Sequence, residues 1–147
     1  LCAACASSGS FAAGGPAQET EGAIAGPVSS DGERAALALL YVALMTDYCL
    51  DLIGSKNTLI VDGGLVKTGA YAEMLAELRP SQRVLSSDNP EGSAVGAATL
   101  AFEALSVKPK PVECNEVFPA KLHGLAEYRD EWRERVEERR HKARSRQ

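Results

Sequence analysis

Aromatic residues are scarce: one Trp, four Tyr and three Phe among 147 residues, 5% of the chain. Large rings carry much of the burial in most cores. Their rarity, beside abundant alanine, points to helices packed closely through small side chains. Histidine is as rare, and neither His123 nor His141 has zinc-finger spacing to a cysteine. No apolar run is read as approaching the ~20 residues of a membrane span. The start, LCAACASSGSF, has no basic n-region, so neither a membrane segment nor a signal peptide is expected. Position 1 is not methionine, and the chain is expected to begin inside a longer protein.

Clustered basic charge is missing as well. Residues 1–126 carry 8 basic and 14 acidic side chains, residues 127–147 carry 8 and 6, and the formal net charge is −4. Nucleic-acid partners are therefore not expected. Four cysteines are too few and too scattered for a disulfide framework, which points to a reducing, cytoplasmic compartment. Cys2 and Cys5 form a CxxC, but it stands at an alanine-rich end with no second pair and no strand before it, so a redox or metal role is disfavoured.

What is present is an alternation of periods. Residues 1–30 are Gly-, Ala- and Ser-rich and irregular, with at most a short strand near 23–24. Ser30 and Glu33 have capping-box spacing, and the apolar pattern after them predicts a helix over Gly32–Ile53, stopped by Gly54. It is apolar most of the way round, as in a helix buried within a larger structure. A strand is expected at Thr58–Asp62, a helix through TGAYAEMLAEL, a short strand at Arg83–Ser86, and a helix from Pro90 to Leu105 opened by Asp88 or Asn89. Gly92 and Gly96 lie four apart on one face of that helix, which predicts close packing against another backbone. Ser106–Pro119 reads as loop. Leu122–Arg146 reads as a charged helix with a docking stripe of Tyr128, Trp132 and Val136, its interleaved charges forming intrahelical pairs. Such alternation with short connections is α/β.

The chemistry-bearing feature is the run LIVDGGLV, Leu59 to Val66. A hairpin needs a strand on both sides of its turn, and a helical period follows Gly63-Gly64. The remaining choices are a tight strand-to-helix turn with no ligand, or a junction where backbone without Cβ approaches a nucleotide. Asp47, Asp51 and Asp62 are the nearest acids. Asp47 and Asp51 are expected to be structural, whereas Asp62 is equally suited to a ribose contact or to capping the turn.

From Asp31 to Leu105 the ordered pieces resemble the C-terminal nucleotide-binding part of the FGGY carbohydrate kinases, in the actin- and hexokinase-like superfamily. The pieces are the long helix ERAALALLYVALMTDYCLDLIG, then Gly63-Gly64 after a strand, then Met74-Leu75-Ala76-Glu77. Arg83-Val84-Leu85 follows, then Glu91-Gly92-Ser93-Ala94-Val95-Gly96-Ala97-Ala98. Leu65 stands where the family often has a third glycine, and Lys67-Thr68 where it often has Asn or Ser. The runs ALMTDYCLDLIG and SFAAGGP are similar to those of the deoxyketose-kinase branch.

The resemblance implies part of a ribonuclease H-like, actin-like ATPase domain: a mixed sheet flanked by helices, incomplete at its N-terminus. It implies residues 1–30 as the remnant of a truncated domain, 31–106 as the nucleotide-binding core, and 107–147 as linker and charged helix. It implies ATP and Mg²⁺ as cofactors, with Gly63, Gly64, Leu65, Lys67 and Thr68 at the nucleotide. No catalytic and no metal-ligating residue is assigned here, because in the family the general-base aspartate precedes this region and the sugar is bound mainly by the N-terminal domain. The implied function is the ATP-binding portion of a kinase for a ketose or related polyol, inactive by itself. The alternative is a non-catalytic nucleotide-binding or interaction domain. Homodimerisation is left open.

Overall fold

The computed structural model describes Pro16, Ile24 and residues 26–87, 92–106 and 112–145. The elements run α1 (Asp31–Leu52), β1 (Leu59–Val61), a 3₁₀ helix (Gly64–Thr68), α2 (Ala70–Leu78), β2 (Val84–Ser87), α3 (Gly92–Ala104), β3 (Cys114–Glu116) and α4 (Leu125–Arg144). They form two compact units, one made of the residues up to Gly54 with those from Leu122 on, the other of Ser55–Lys121. Cys2, Cys5 and the capping residues Asp88 to Pro90 lie outside the described residues. Of the short strand expected near 23–24, only Ile24 is described, and it is exposed coil.

In the first unit α1 starts as the sequence predicts. Ser30 Oγ accepts from Glu33 N at 3.1 Å, and the Glu33 carboxylate accepts from Ser29 N at 2.6 Å, so orphan amides are satisfied from both sides. Gly54, at φ 67°, ends it in the left-handed region. By length and composition alone α1 is apolar enough to cross a membrane, with a mean hydropathy of 1.6 over its best window. The expectation that no apolar run approaches membrane length is thereby corrected: Thr46 and Asp47 interrupt the run without lowering its mean hydropathy below that of a span. Leu37, Ala43, Leu44, Asp47 and Tyr48 are buried, and 28% of that apolar window is buried in all.

α4 supplies the matching face. Leu125, Trp132 and Val136 are buried, and Trp132 meets Tyr41 and Tyr48 edge-on, with centroids 6.5 and 6.3 Å apart. Asp47 is not the partly exposed or capping position that the spacing suggests: it is buried, and a cation on another helix holds both it and Asp51. Both accept from Arg133 Nη2, at 2.5 and 2.6 Å. The expected intrahelical pairs form at Glu131–Arg135, Glu137–Arg140 and Glu138–Lys142. Gly124, at φ 81°, delays the start of α4 to Leu125 rather than Leu122.

In the second unit the sheet order is β1-β2-β3, with β1 parallel and β3 antiparallel to β2. Paired residues point to the same face. Leu59, Val61, Val84 and Ser86 therefore share one face, and Ile60, Leu85, Ser87 and Cys114 the other. α2 packs against β2 and buries Tyr71, Ala72, Met74, Leu75, Ala76 and Leu78. Its end is pinned to the chain before β1: Arg79 donates to Gln82 (2.6 Å) and to Ser55 O (3.2 Å), and Gln82 donates to Asn57 O (2.6 Å).

Two expectations fail here. β3 lies inside the segment read as loop. It has no alternating pattern; it forms by antiparallel pairing with β2, and beside the ladder Arg83 donates to both carboxylate oxygens of Glu116, at 2.9 and 3.1 Å. The Gly92/Gly96 face does not meet another backbone either. A Cβ on Gly96 would touch nothing within 4 Å, and Gly96 is exposed. A Cβ on Gly92 would run into the Asp62 carboxylate, so the close neighbour is a side chain.

Candidate functional site: the glycine turn after β1

β1 carries the chain to Asp62, and the turn into α2 is then made by two glycines with different duties from those the spacing suggests. Gly63 has φ 89° and ψ −163°, in the extended positive-φ region open only to glycine. Gly69 has φ 71° and caps α2. Between them lies a single 3₁₀ segment, with Val66 N bonded to Gly63 O at 3.2 Å and Gly69 N to Val66 O at 3.0 Å. Gly64 has no positive φ, so the backbone does not require glycine there, and a Cβ on it would meet nothing within 4 Å. Its bareness is turned outward.

Gly63, Gly64, Leu65, Lys67 and Thr68 are therefore consecutive members of one short turn. Leu65 is 43% exposed, Lys67 and Thr68 are exposed, and Thr68 Oγ1 donates to Leu65 O at 3.4 Å. Asp62, at the end of β1 before the turn, has its carboxylate beside Gly92 at the start of α3.

Two clefts flank the sheet within this unit. One, of about 410 Å³, is lined by Val66, Gly69, Glu73, Ser86 and Glu116 with the chain from Val117 to Ala120. The other, of about 330 Å³, lies between the opposite sheet face and α3 and includes Ile60, Asp62, Ser87, Gly96 and Cys114. Arg83 holds the Glu116 carboxyl below its ordinary value by hydrogen bonding and charge. Gly69 and Glu116 escaped the sequence reading. A lone glycine before a helical period could have flagged Gly69, but nothing local flags Glu116, whose partner is 33 residues away. Among the described residues no three His, Cys, Asp or Glu side chains cluster to hold a metal.

A mixed sheet with flanking helices and a glycine turn between a strand and a helix defines a protein of the α/β class. The comparisons narrow this. Residues 4–110 match the model of the carbohydrate kinase FGGY C-terminal domain, and the chain belongs to that family. Among solved structures it is similar to a carbohydrate kinase from Novosphingobium aromaticivorans, at 31% identity and a TM-score of 0.62. The match covers 78% of this chain and 24% of that one, so the chain spans about a quarter of the kinase it resembles. No curated protein matches.

Proposed function

We infer that this chain is the C-terminal ATP-binding portion of a carbohydrate kinase that transfers the γ-phosphoryl group of ATP to a hydroxyl of a ketose or related polyol. The observation that carries the reading is Gly64: a glycine not needed for its own φ, facing open space, in the turn that follows a strand. Backbone there can come within contact distance of a nucleotide. Gly63 and Leu65 extend the approach, Lys67 offers a cation to phosphate, and Thr68 a hydroxyl. Phosphoryl transfer depends on positioning and on neutralising developing charge, and Mg²⁺ supplies part of that neutralisation when bound. Mg²⁺ usually keeps several waters and takes one or two carboxylates with the phosphates, so its use does not require an acidic cluster among the described residues. The sugar, and the aspartate that would accept its proton, belong to the part of the kinase that this chain does not span. The sheet is read as a piece of a ribonuclease H-like, actin-like domain.

The test is titration of MgATP into the 147-residue chain, followed by amide NMR. Perturbations centred on Gly63–Thr68 and abolished by Gly64→Val support the reading. Saturable binding with those amides unmoved, or no binding at millimolar nucleotide, rejects it in favour of a non-catalytic interaction domain.

A further inference from the structure

Gly92 is a glycine for a reason outside its own backbone. It opens α3 and its φ is not positive, yet a Cβ there would overlap the Asp62 carboxylate. The backbone does not require glycine at 92, so what excludes a side chain is that carboxylate. Strand alternation brings Asp62 to this seat: Ile60 and Asp62, two apart, both line the cleft on the α3 side of the sheet, with Val95, Thr99 and Cys114. A carboxylate at the head of α3 also faces the positive end of the helix dipole. Elsewhere α3 is lightly packed. Ala94, Ala97, Ala98, Leu100, Ala101 and Phe102 are exposed, whereas Val95 and Thr99 are half-buried. On its other side Asp62 adjoins the glycine turn. Gly63, at φ 89°, has no side chain to hold it in place, and Gly64, the backbone that faces open space, is next.

We propose that Asp62 is a positioning residue for the glycine turn: its carboxylate, seated on Gly92, fixes the turn to the head of α3, so that the two elements order together and Gly64 is presented in one orientation. The consequence for binding rests on the nucleotide reading of the turn given above, whereas the coupling of turn to helix stands on the Asp62–Gly92 contact alone.

Amide exchange by NMR and MgATP titration of the full 147-residue chain test the two parts together. In Asp62→Ala the amides of residues 96–102 in α3, and those of Val66 and Gly69, which are hydrogen-bonded within the turn, should exchange about tenfold faster. The amides of Arg79 and Gln82, past the far end of α2, should keep wild-type rates. Gly92→Ala, which leaves the aspartate in place but fills its seat, should give the same pattern. The double variant should match Asp62→Ala alone, because both substitutions break one contact. Asp62→Asn, which keeps the shape and loses the charge, should fall between the wild type and Asp62→Ala. MgATP affinity should fall about fivefold in Asp62→Ala and in Gly92→Ala. Faster exchange in α3 with Val66, Gly69 and MgATP affinity unchanged would make Asp62 a merely structural cap and overturn the proposal. Additive effects in the double variant would also overturn it. A wild-type chain that binds no MgATP rejects the nucleotide reading, and the exchange pattern then decides the coupling by itself.

Discussion

Gly63 and Gly64 look interchangeable as letters and are not so as positions. Gly63 occupies a backbone region that a Cβ forbids; Gly64 does not, and it faces open space. Gly63→Ala should therefore cost ~1–3 kcal/mol of stability, read as a drop in melting temperature. Gly64→Val, placed in the complete enzyme, should leave the melting temperature near the wild-type value and weaken nucleotide binding. Equal losses in both quantities for Gly64→Val would reduce the turn to a structural one. Trp132 permits a similar separation. Its indole Nε1 is buried without a hydrogen-bond partner among the described residues, so the ring contributes packing and its N–H contributes nothing. Trp132→Ala should cost ~3–5 kcal/mol. Trp132→Phe should cost much less, because it keeps the edge-on contacts and removes an unsatisfied donor. Chemical denaturation of the three proteins decides the order.

At the scale of elements, α3 reverses the expectation placed on it. Glycine inside a helix was expected to be offset by close packing, but Gly96 is exposed and nothing approaches it. Gly96→Ala should then raise stability by up to ~1 kcal/mol, the intrinsic helix preference with no clash to oppose it. Gly92→Ala should be destabilising, and Asp62→Ala should relieve most of that loss in a double-mutant cycle. The sheet has its own pH signature. Arg83, by hydrogen bond and charge, depresses the Glu116 pKa below its ordinary value in the folded chain. The pairing thus contributes stability above the unfolded pKa and is lost as pH falls through the lower, folded one. Glu116→Gln should flatten that part of the acid limb in a melting-temperature series. The elements that were legible in the sequence carry their signal locally: Ser30 with Glu33, Gly54 after α1, the 3.6-residue period of α2 and the stripe at Trp132. β3 and the Arg133 fork were not legible, because each depends on a partner far along the chain. β3 needs β2 as its pairing partner to make an edge strand of a polar segment, and Arg133 needs α1 already folded to find two carboxylates on one face.

At the scale of the molecule the glycine turn was legible for a physical reason: strand period, glycine pair and helix period are adjacent in sequence, so the junction is written in one short run. A kinase active site is not written that way. It needs a sugar site, a base to accept the hydroxyl proton and a second wall to exclude water, and this chain spans 24% of the kinase it resembles. The 147-residue chain should therefore bind MgATP weakly and release no ADP in the presence of any ketose or polyol. A coupled ADP-release assay over a panel of such sugars checks this, with nucleotide binding to the same sample as the control. Sugar-dependent turnover above the ATPase background would mean that a general base lies within these residues. Asp62 would then be the first carboxylate to substitute, since it is exposed at the end of β1 beside the turn, whereas Asp47 and Asp51 are already committed to Arg133.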